Sequence, residues 1–163
     1  MEYQHIIHPI KPLYDENSKI LILGSLPSVK SRQEMFFYGH PQNRFWGLLA
    51  LLYKEVPLAT IEEKRTFAIR HRIALWDTIY SCDIKGSSDS SIKNVVPTDL
   101  REIIKHSKIE KIFCNGKTSG IYFHKYQEKE LGIKAQVLPS TSPANAAWTM
   151  DKLQEEWKVI LEN

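Results

Sequence analysis

Ile20-Leu21-Ile22-Leu23-Gly24-Ser25-Leu26-Pro27-Ser28 is an apolar run that ends in a polar turn shaped by Gly and Pro. Met35-Phe36-Phe37-Tyr38-Gly39-His40-Pro41-Gln42-Asn43-Arg44-Phe45-Trp46 follows as a cluster of aromatics with a His-Pro step, an Asn and an Arg. A strand apolar at every position is covered on both faces, as in a parallel sheet. Open α/β sheets hold their ligands at the carboxyl ends of the strands, which is where the 24–28 turn falls. Flat aromatic faces beside an amide and backbone N–H groups suit a planar, hydrogen-bonding ligand such as a nucleobase. The same residues also fit a core strand, an ordinary turn and an amphipathic helix starting near Asn43.

Outward from this stretch, strands and helices alternate. Strands are expected over 19–23, 73–76, 111–114 and 134–138, each a short apolar run. Ser28 is a candidate N-cap for a short helix over 29–35, and Phe45, Trp46, Leu48, Leu49 and Leu52 fall at helical spacing over 43–53. Thr60-Ile61-Glu62-Glu63 resembles a capping box for a helix to Arg70. Further helices are expected over 97–106, over 117–130 with Gly132 as the stop, and over 149–161 with Leu153, Trp157 and Ile160 buried. Residues 1–18 hold His8-Pro9 and Lys11-Pro12 and end in a turn over 15–18, and 81–94, with Gly86-Ser87-Ser88-Asp89-Ser90-Ser91, reads as a long polar loop. This alternation predicts a three-layer α/β/α sandwich around a central four-stranded parallel sheet, in a single domain over 1–163. The strand-end loops 24–28, 77–81, 115–119 and 139–145 then gather at one edge, and four scattered segments become one candidate site.

Composition narrows the class. The chain has 163 residues, 42% apolar and 25% charged, enough for a sizeable core without disulfides or metal. A net charge of +3 permits a nucleic-acid partner without demanding one. Cys82 and Cys114 lack the clustered ligands of zinc or iron–sulfur sites and read as reduced thiols. The N-terminus has no signal-peptide pattern, and no apolar stretch is long enough to span a membrane, so a cytoplasmic protein is expected.

Several chemistries are excluded by motif. Gly116-Lys117-Thr118 looks like the end of a phosphate-binding loop, but Lys111 stands where its first Gly belongs. No G-x-S-x-G elbow and no G-x-G-x-x-G occurs, which argues against a hydrolase triad and a dinucleotide cofactor. The six histidines lack metal-ligand spacing; His71 and His106 sit near helix ends, whereas His40 lies inside the aromatic cluster. No cofactor, metal or iron–sulfur cluster is expected.

His40-Pro41-Gln42-Asn43-Arg44-Phe45-Trp46 resembles the H-P-x-N-R-F-W segment that mismatch-specific members of the uracil-DNA glycosylase superfamily carry after their first strand. Gly24-Ser25-Leu26-Pro27-Ser28 stands where those enzymes have Gly-Ile-Asn-Pro-Gly, and Leu138-Pro139-Ser140-Thr141-Ser142-Pro143-Ala144-Asn145 where members have a His- or Asn-Pro-Ser stretch. The order, spacing and strand-end positions agree over nearly the whole chain. Two positions depart. Leu26 replaces the Asn that positions water in mismatch-specific enzymes, and Leu138 replaces the His or Asn of the second motif. An alkyl chain neither orients water nor bonds a carbonyl. With Trp76-Asp77, Ser81-Cys82, Gly86-Ser87 and Asp89-Ser90, the pattern is similar to the hypoxanthine-DNA (deoxyinosine) glycosylase branch, in which the Asn of H-P-x-N is linked to catalysis.

The resemblance implies a monofunctional DNA glycosylase that removes a deaminated base, hypoxanthine first, from DNA, as a monomer. A uracil-, xanthine- or G/T-mismatch-directed enzyme and an inactive nucleic-acid-binding domain remain open. Asn43 is the implied catalytic residue, placing water or bonding the base. Base contacts are expected from Gly24, Ser25, Leu26, Pro27, Ser28, Tyr38, His40, Asp77 and Asn115, with Tyr38 stacking and the 24–28 backbone donating. Asp77 either contacts the base or caps the next turn. Ser140, Thr141, Ser142, Pro143, Ala144 and Asn145 form the expected loop into DNA, with Pro143 and Ala144 as a wedge and the hydroxyls on phosphates. No lysine sits in these motifs, so lyase chemistry is not expected. Lys30, Arg32, Arg44, Lys85, Lys93 and Lys117 read either as a basic rim or as scattered solvated charges.

Overall fold

A computed structural model describes residues 2–162. Its elements run β1 (Gln4–Ile7), β2 (Ile20–Gly24), α1 (Val29–Glu34), α2 (Phe45–Leu52), α3 (Ile61–Arg70), β3 (Ile73–Asp77), β4 (Ile79–Ile84), β5 (Lys93–Pro97), α4 (Arg101–Lys105), β6 (Lys111–Asn115), α5 (Lys117–Tyr126), α6 (Glu128–Leu131), β7 (Ala135–Leu138) and α7 (Met150–Trp157).

The central sheet has the order β3-β2-β6-β7, all parallel, and helices cover both faces. Every residue of β2 is buried, so its alternate side chains feed two cores. Ile20 and Ile22 pack with Phe45, Leu49, Phe67 and Trp157 from α2, α3 and α7. Leu21 and Leu23 pack with Ile103 of α4 and Phe123 of α5 on the other face. Fully burying each such side chain stabilises the fold by about 1.5–3 kcal/mol. The free edge of β3 is closed by Leu13, which exchanges backbone hydrogen bonds of 3.0 and 2.9 Å with Leu75.

Local signals set the helix starts. Ser28, Thr60 and Thr149 each accept a backbone N–H from the first turn of α1, α3 and α7. Gly132, at φ 69°, ends α6 as expected from sequence. The helix expected over 117–130 is broken instead at Gln127, whose buried amide reaches Thr78 O, Thr98 O and Thr98 Oγ1. The helix expected over 97–106 begins only at Arg101, because Pro97 ends β5 and the Thr98 hydroxyl donates to Asp77 O at 2.7 Å.

The largest correction lies outside the central sheet. β1, β4 and β5 form a second, antiparallel sheet in the order β1-β4-β5, where no strand before residue 19 and a polar loop over 81–94 are expected from sequence. Its register pairs Ile7 with Ser81 and Gln4 with Ile84, and β4 meets β5 through two irregularities. Ile79, Cys82 and Ile84 form a small core beneath it, against which Leu26 packs. The strands are hidden because β1, β4 and β5 are short and mix polar with apolar residues, and β1 pairs with a strand more than 70 residues away.

Candidate active site

The parallel register sets Gly24 beside Asp77 and Asn115 beside Leu138, so all four strands end at one edge. A cleft of about 230 Å³ opens there. That is below the roughly 300 Å³ at which pockets begin to take drug-sized ligands, a scale suited to one base. Gly24, Ser25, Leu26, Pro27, Ser28, Tyr38, Asn43, Asp77, Asn115, Ser140, Thr141 and Ser142 all line it. His40, Pro143, Ala144 and Asn145 do not. His40 instead shapes its own turn: its Nδ1 accepts Gln42 N–H at 3.1 Å and its carbonyl accepts Asn43 N–H at 2.9 Å.

Thr141 organises one part of the lining. It is fully buried, which removes its hydroxyl from the set expected on phosphates. That hydroxyl donates to Asn43 Oδ1 at 2.8 Å and accepts Asn115 Nδ2–H at 3.0 Å, while Thr141 N–H donates to Asn115 Oδ1 at 3.0 Å. Asn43 Oδ1 also accepts Phe45 N–H at 2.9 Å, capping the start of α2. Both lone pairs of that oxygen are therefore occupied. The Asn43 amide is left with its Nδ2 donor, which has no partner among the described residues. Asn115, by contrast, is committed to holding the 139–145 loop.

The rest of the lining is less complete. Tyr38 stacks one ring face on Phe45, with centroids 3.9 Å apart, and adopts a left-handed φ of 55°. Its hydroxyl is buried without a hydrogen-bond partner. Burial first, and the Asp77 charge second, push the phenol far above its ordinary range and keep it a neutral donor. A Cβ on Gly24 would lie 2.4 Å from Asp77 Oδ1 and 3.3 Å from the Tyr38 hydroxyl, so only Gly leaves this corner open. Asp77 is 4% exposed; its Oδ2 meets His8 Nε2 at 2.7 Å, and its Oδ1 accepts no hydrogen bond among the described residues. The N–H groups of Ser25, Leu26 and Ser28 likewise donate to no protein acceptor there. Ser119 Oγ pins the end of β2 by bonding Leu23 O at 2.8 Å and Gly24 O at 3.2 Å.

The six basic residues do not form one rim. Arg44 turns inward, donating to the carbonyls of Trp148, Ser142 and Asn145, and clamps the loop after β7. Lys30 faces Glu34, and Lys85 and Lys93 lie over the Tyr3 ring. Arg32 and Lys117 line the cleft; Arg32 donates to Pro27 O at 2.9 Å, and burial lowers its pKa. Burial pushes the Cys114 thiol up to about 11, which leaves it inert. Among the described residues no cluster of three or more metal-ligating side chains occurs, and no helix is long and apolar enough to cross a membrane.

The family model for the uracil DNA glycosylase superfamily matches residues 11–162. The chain belongs to the uracil DNA glycosylase superfamily. Within it, a hypoxanthine DNA glycosylase from Methanosarcina acetivorans is 35% identical over 153 residues, covering 91% of this chain and 94% of the relative. One from Methanosarcina barkeri is 35% identical over 138 residues, covering 82% and 85%. A solution NMR structure of a Methanosarcina acetivorans protein described as a candidate uracil DNA glycosylase superposes with a TM-score of 0.81 at 31% identity, covering 96% of both chains.

Superfamily membership makes the two leucines informative. Leu26 packs against the small core under the second sheet, and Leu138, 2% exposed, belongs to the main core. Leu138 is given to packing, whereas Leu26 both packs on that small core and lines the cleft. The sequence alone missed His8, the Thr141 bridge and the inward turn of Arg44. A His-Pro step near the N-terminus carries no local mark of a partner 69 residues away.

Proposed function

We propose that this chain is a DNA glycosylase that hydrolyses the N-glycosidic bond of a deaminated base in DNA, with hypoxanthine as its main substrate. The carrying observation is that Asn43 lines the same cleft as Tyr38 and the 24–28 turn, with its oxygen tied down and its N–H donor free. Similarity to hypoxanthine DNA glycosylases over most of the chain supports the choice of base.

The target nucleotide is extruded and its base enters the cleft. It lies on the ring face of Tyr38 that Phe45 leaves free. As the glycosidic bond breaks, negative charge spreads over the purine and its carbonyl while the sugar becomes cation-like. Asn43 Nδ2 and the backbone N–H groups of Ser25, Leu26 and Ser28 receive that charge. These donors are fixed before the reaction, so little reorganisation is needed. Water attacks the anomeric carbon, and an intact abasic site remains. Hypoxanthine leaves without a strong general acid because its carbonyl accepts charge.

Asp77 supplies selectivity. Deamination turns a ring nitrogen lone pair beside an amino group into an N–H beside a carbonyl. Asp77 Oδ1 accepts from that N–H and repels the lone pair of adenine. It reads the base without helping it leave, so the leaving charge falls to the N–H donors. Pro143 and Ala144, outside the cleft, are placed to wedge the helix.

The test offers duplexes containing inosine, xanthine, uracil or a G/T mismatch and scores breaks with and without alkali. Inosine is expected to react fastest, with breaks only after alkali. Breaks without alkali would assign lyase chemistry to Lys117. No product from any duplex would leave a nucleic-acid-binding domain.

A further inference from the structure

His8 is a fully buried, polar side chain that the reaction described above does not use. It lies just after β1, and its backbone N–H donates to Tyr80 O at 2.7 Å, which ties it to β4 of the second sheet. Its Nδ1 accepts Ile10 N–H at 3.1 Å. A nitrogen that accepts carries no proton, so the ring is the neutral tautomer with hydrogen on Nε2. That hydrogen donates to Asp77 Oδ2 at 2.7 Å. The ring meets Trp76 edge-on, with centroids 5.9 Å apart, and is held by hydrogen bonds at both nitrogens. One carboxylate oxygen is held from behind, and the other is left to face Gly24 and the cleft.

We propose that His8 is the positioning residue for base selectivity: it fixes the Asp77 carboxylate so that Oδ1 accepts the ring N–H that deamination creates. The inference rests on the function proposed above. It also gives the second sheet a role. Strand β1 carries His8 into place, so the segment before the parallel sheet sets how the cleft discriminates bases. A neutral imidazole suits this task because it orients the carboxylate without cancelling its charge.

The test compares single-turnover excision of hypoxanthine and of 1-methylhypoxanthine, which has a methyl group in place of the ring N–H. The wild type is expected to favour hypoxanthine. In His8→Phe, which keeps the bulk and loses the donor, hypoxanthine excision falls about tenfold or more. The preference over the methylated base shrinks by a similar factor. His8→Gln, whose amide reaches a similar position, restores the preference to within about threefold. A purely structural role would slow both bases equally and leave the preference unchanged; that result in a folded variant overturns the inference alone. If His8→Phe fails to fold, His8→Asn replaces it, being polar but too short to reach Oδ2. No excision of hypoxanthine by the wild type would overturn the function and this inference together.

Discussion

Asn43, Thr141 and Asn115 satisfy one another in the cleft, whereas the Tyr38 hydroxyl and Asp77 Oδ1, lining the same cleft, have no protein partner. A buried polar group without a partner, as the Tyr38 hydroxyl is, costs about 1–3 kcal/mol, which a base hydrogen-bonded to it recovers. An amide whose oxygen accepts two hydrogen bonds, as that of Asn43 does, in contrast has one orientation. The difference separates two tasks: the completed trio presents a fixed donor for the departing base, and the incomplete corner recognises the base on arrival. Each task can be disturbed separately.

The strongest disturbance is Gly24→Ala. Its methyl would lie 2.4 Å from an Asp77 oxygen that His8 holds in place, and the base would be shut out of the incomplete corner. Single-turnover inosine excision is expected to fall about 100-fold. Next comes Thr141→Val, which keeps the shape of a fully buried side chain and removes its hydroxyl bonds to Asn43 and Asn115. Urea unfolding is expected to show a loss of about 1–3 kcal/mol. Excision should slow about tenfold because the Asn43 amide keeps only the Phe45 N–H of the two bonds that hold it. A Thr141→Val protein of normal rate would break the division between the two parts of the cleft.

Tyr38→Phe sharpens it from the other part. Removal of an unpartnered buried hydroxyl should leave urea stability unchanged or raise it by about 1 kcal/mol, while excision slows several-fold. Stability and activity then move in opposite directions, which they do not in Thr141→Val. The smallest effects belong to the two cations. Lys117→Ala, on the cleft, should weaken duplex binding a few-fold and lower the salt dependence by about one counterion. Arg44→Ala should leave that slope unchanged, because its guanidinium is bound to three backbone carbonyls.

The legible part of the molecule is its parallel core. β2 is apolar at each position, and the caps at Ser28, Thr60 and Thr149 are written in neighbouring residues. The gathering of loops at one edge follows from the strands being parallel. The second sheet was not legible, since β4 is half polar and pairs with a strand near the N-terminus. The site divides the same way. Most of the cleft's strand-end residues could be read from sequence, but not the lining by Ile84, Gly86, Ser87 and Asp89, nor how the hydrogen bonds are apportioned. Thr141 looked like a surface hydroxyl and is a buried bridge. Arg44 reads either as part of a basic rim or as a solvated charge and is a loop clamp. Each depends on a partner about a hundred residues away.

The central claim is that Asn43 acts as a fixed donor to a deaminated base. It is tested most directly by single-turnover excision from a duplex with one inosine, comparing the wild type with Asn43→Ala after circular dichroism shows both folded. The wild type is expected to release hypoxanthine and leave an alkali-labile site, and the variant to react at least about 100-fold more slowly. Equal rates for the two proteins would contradict it.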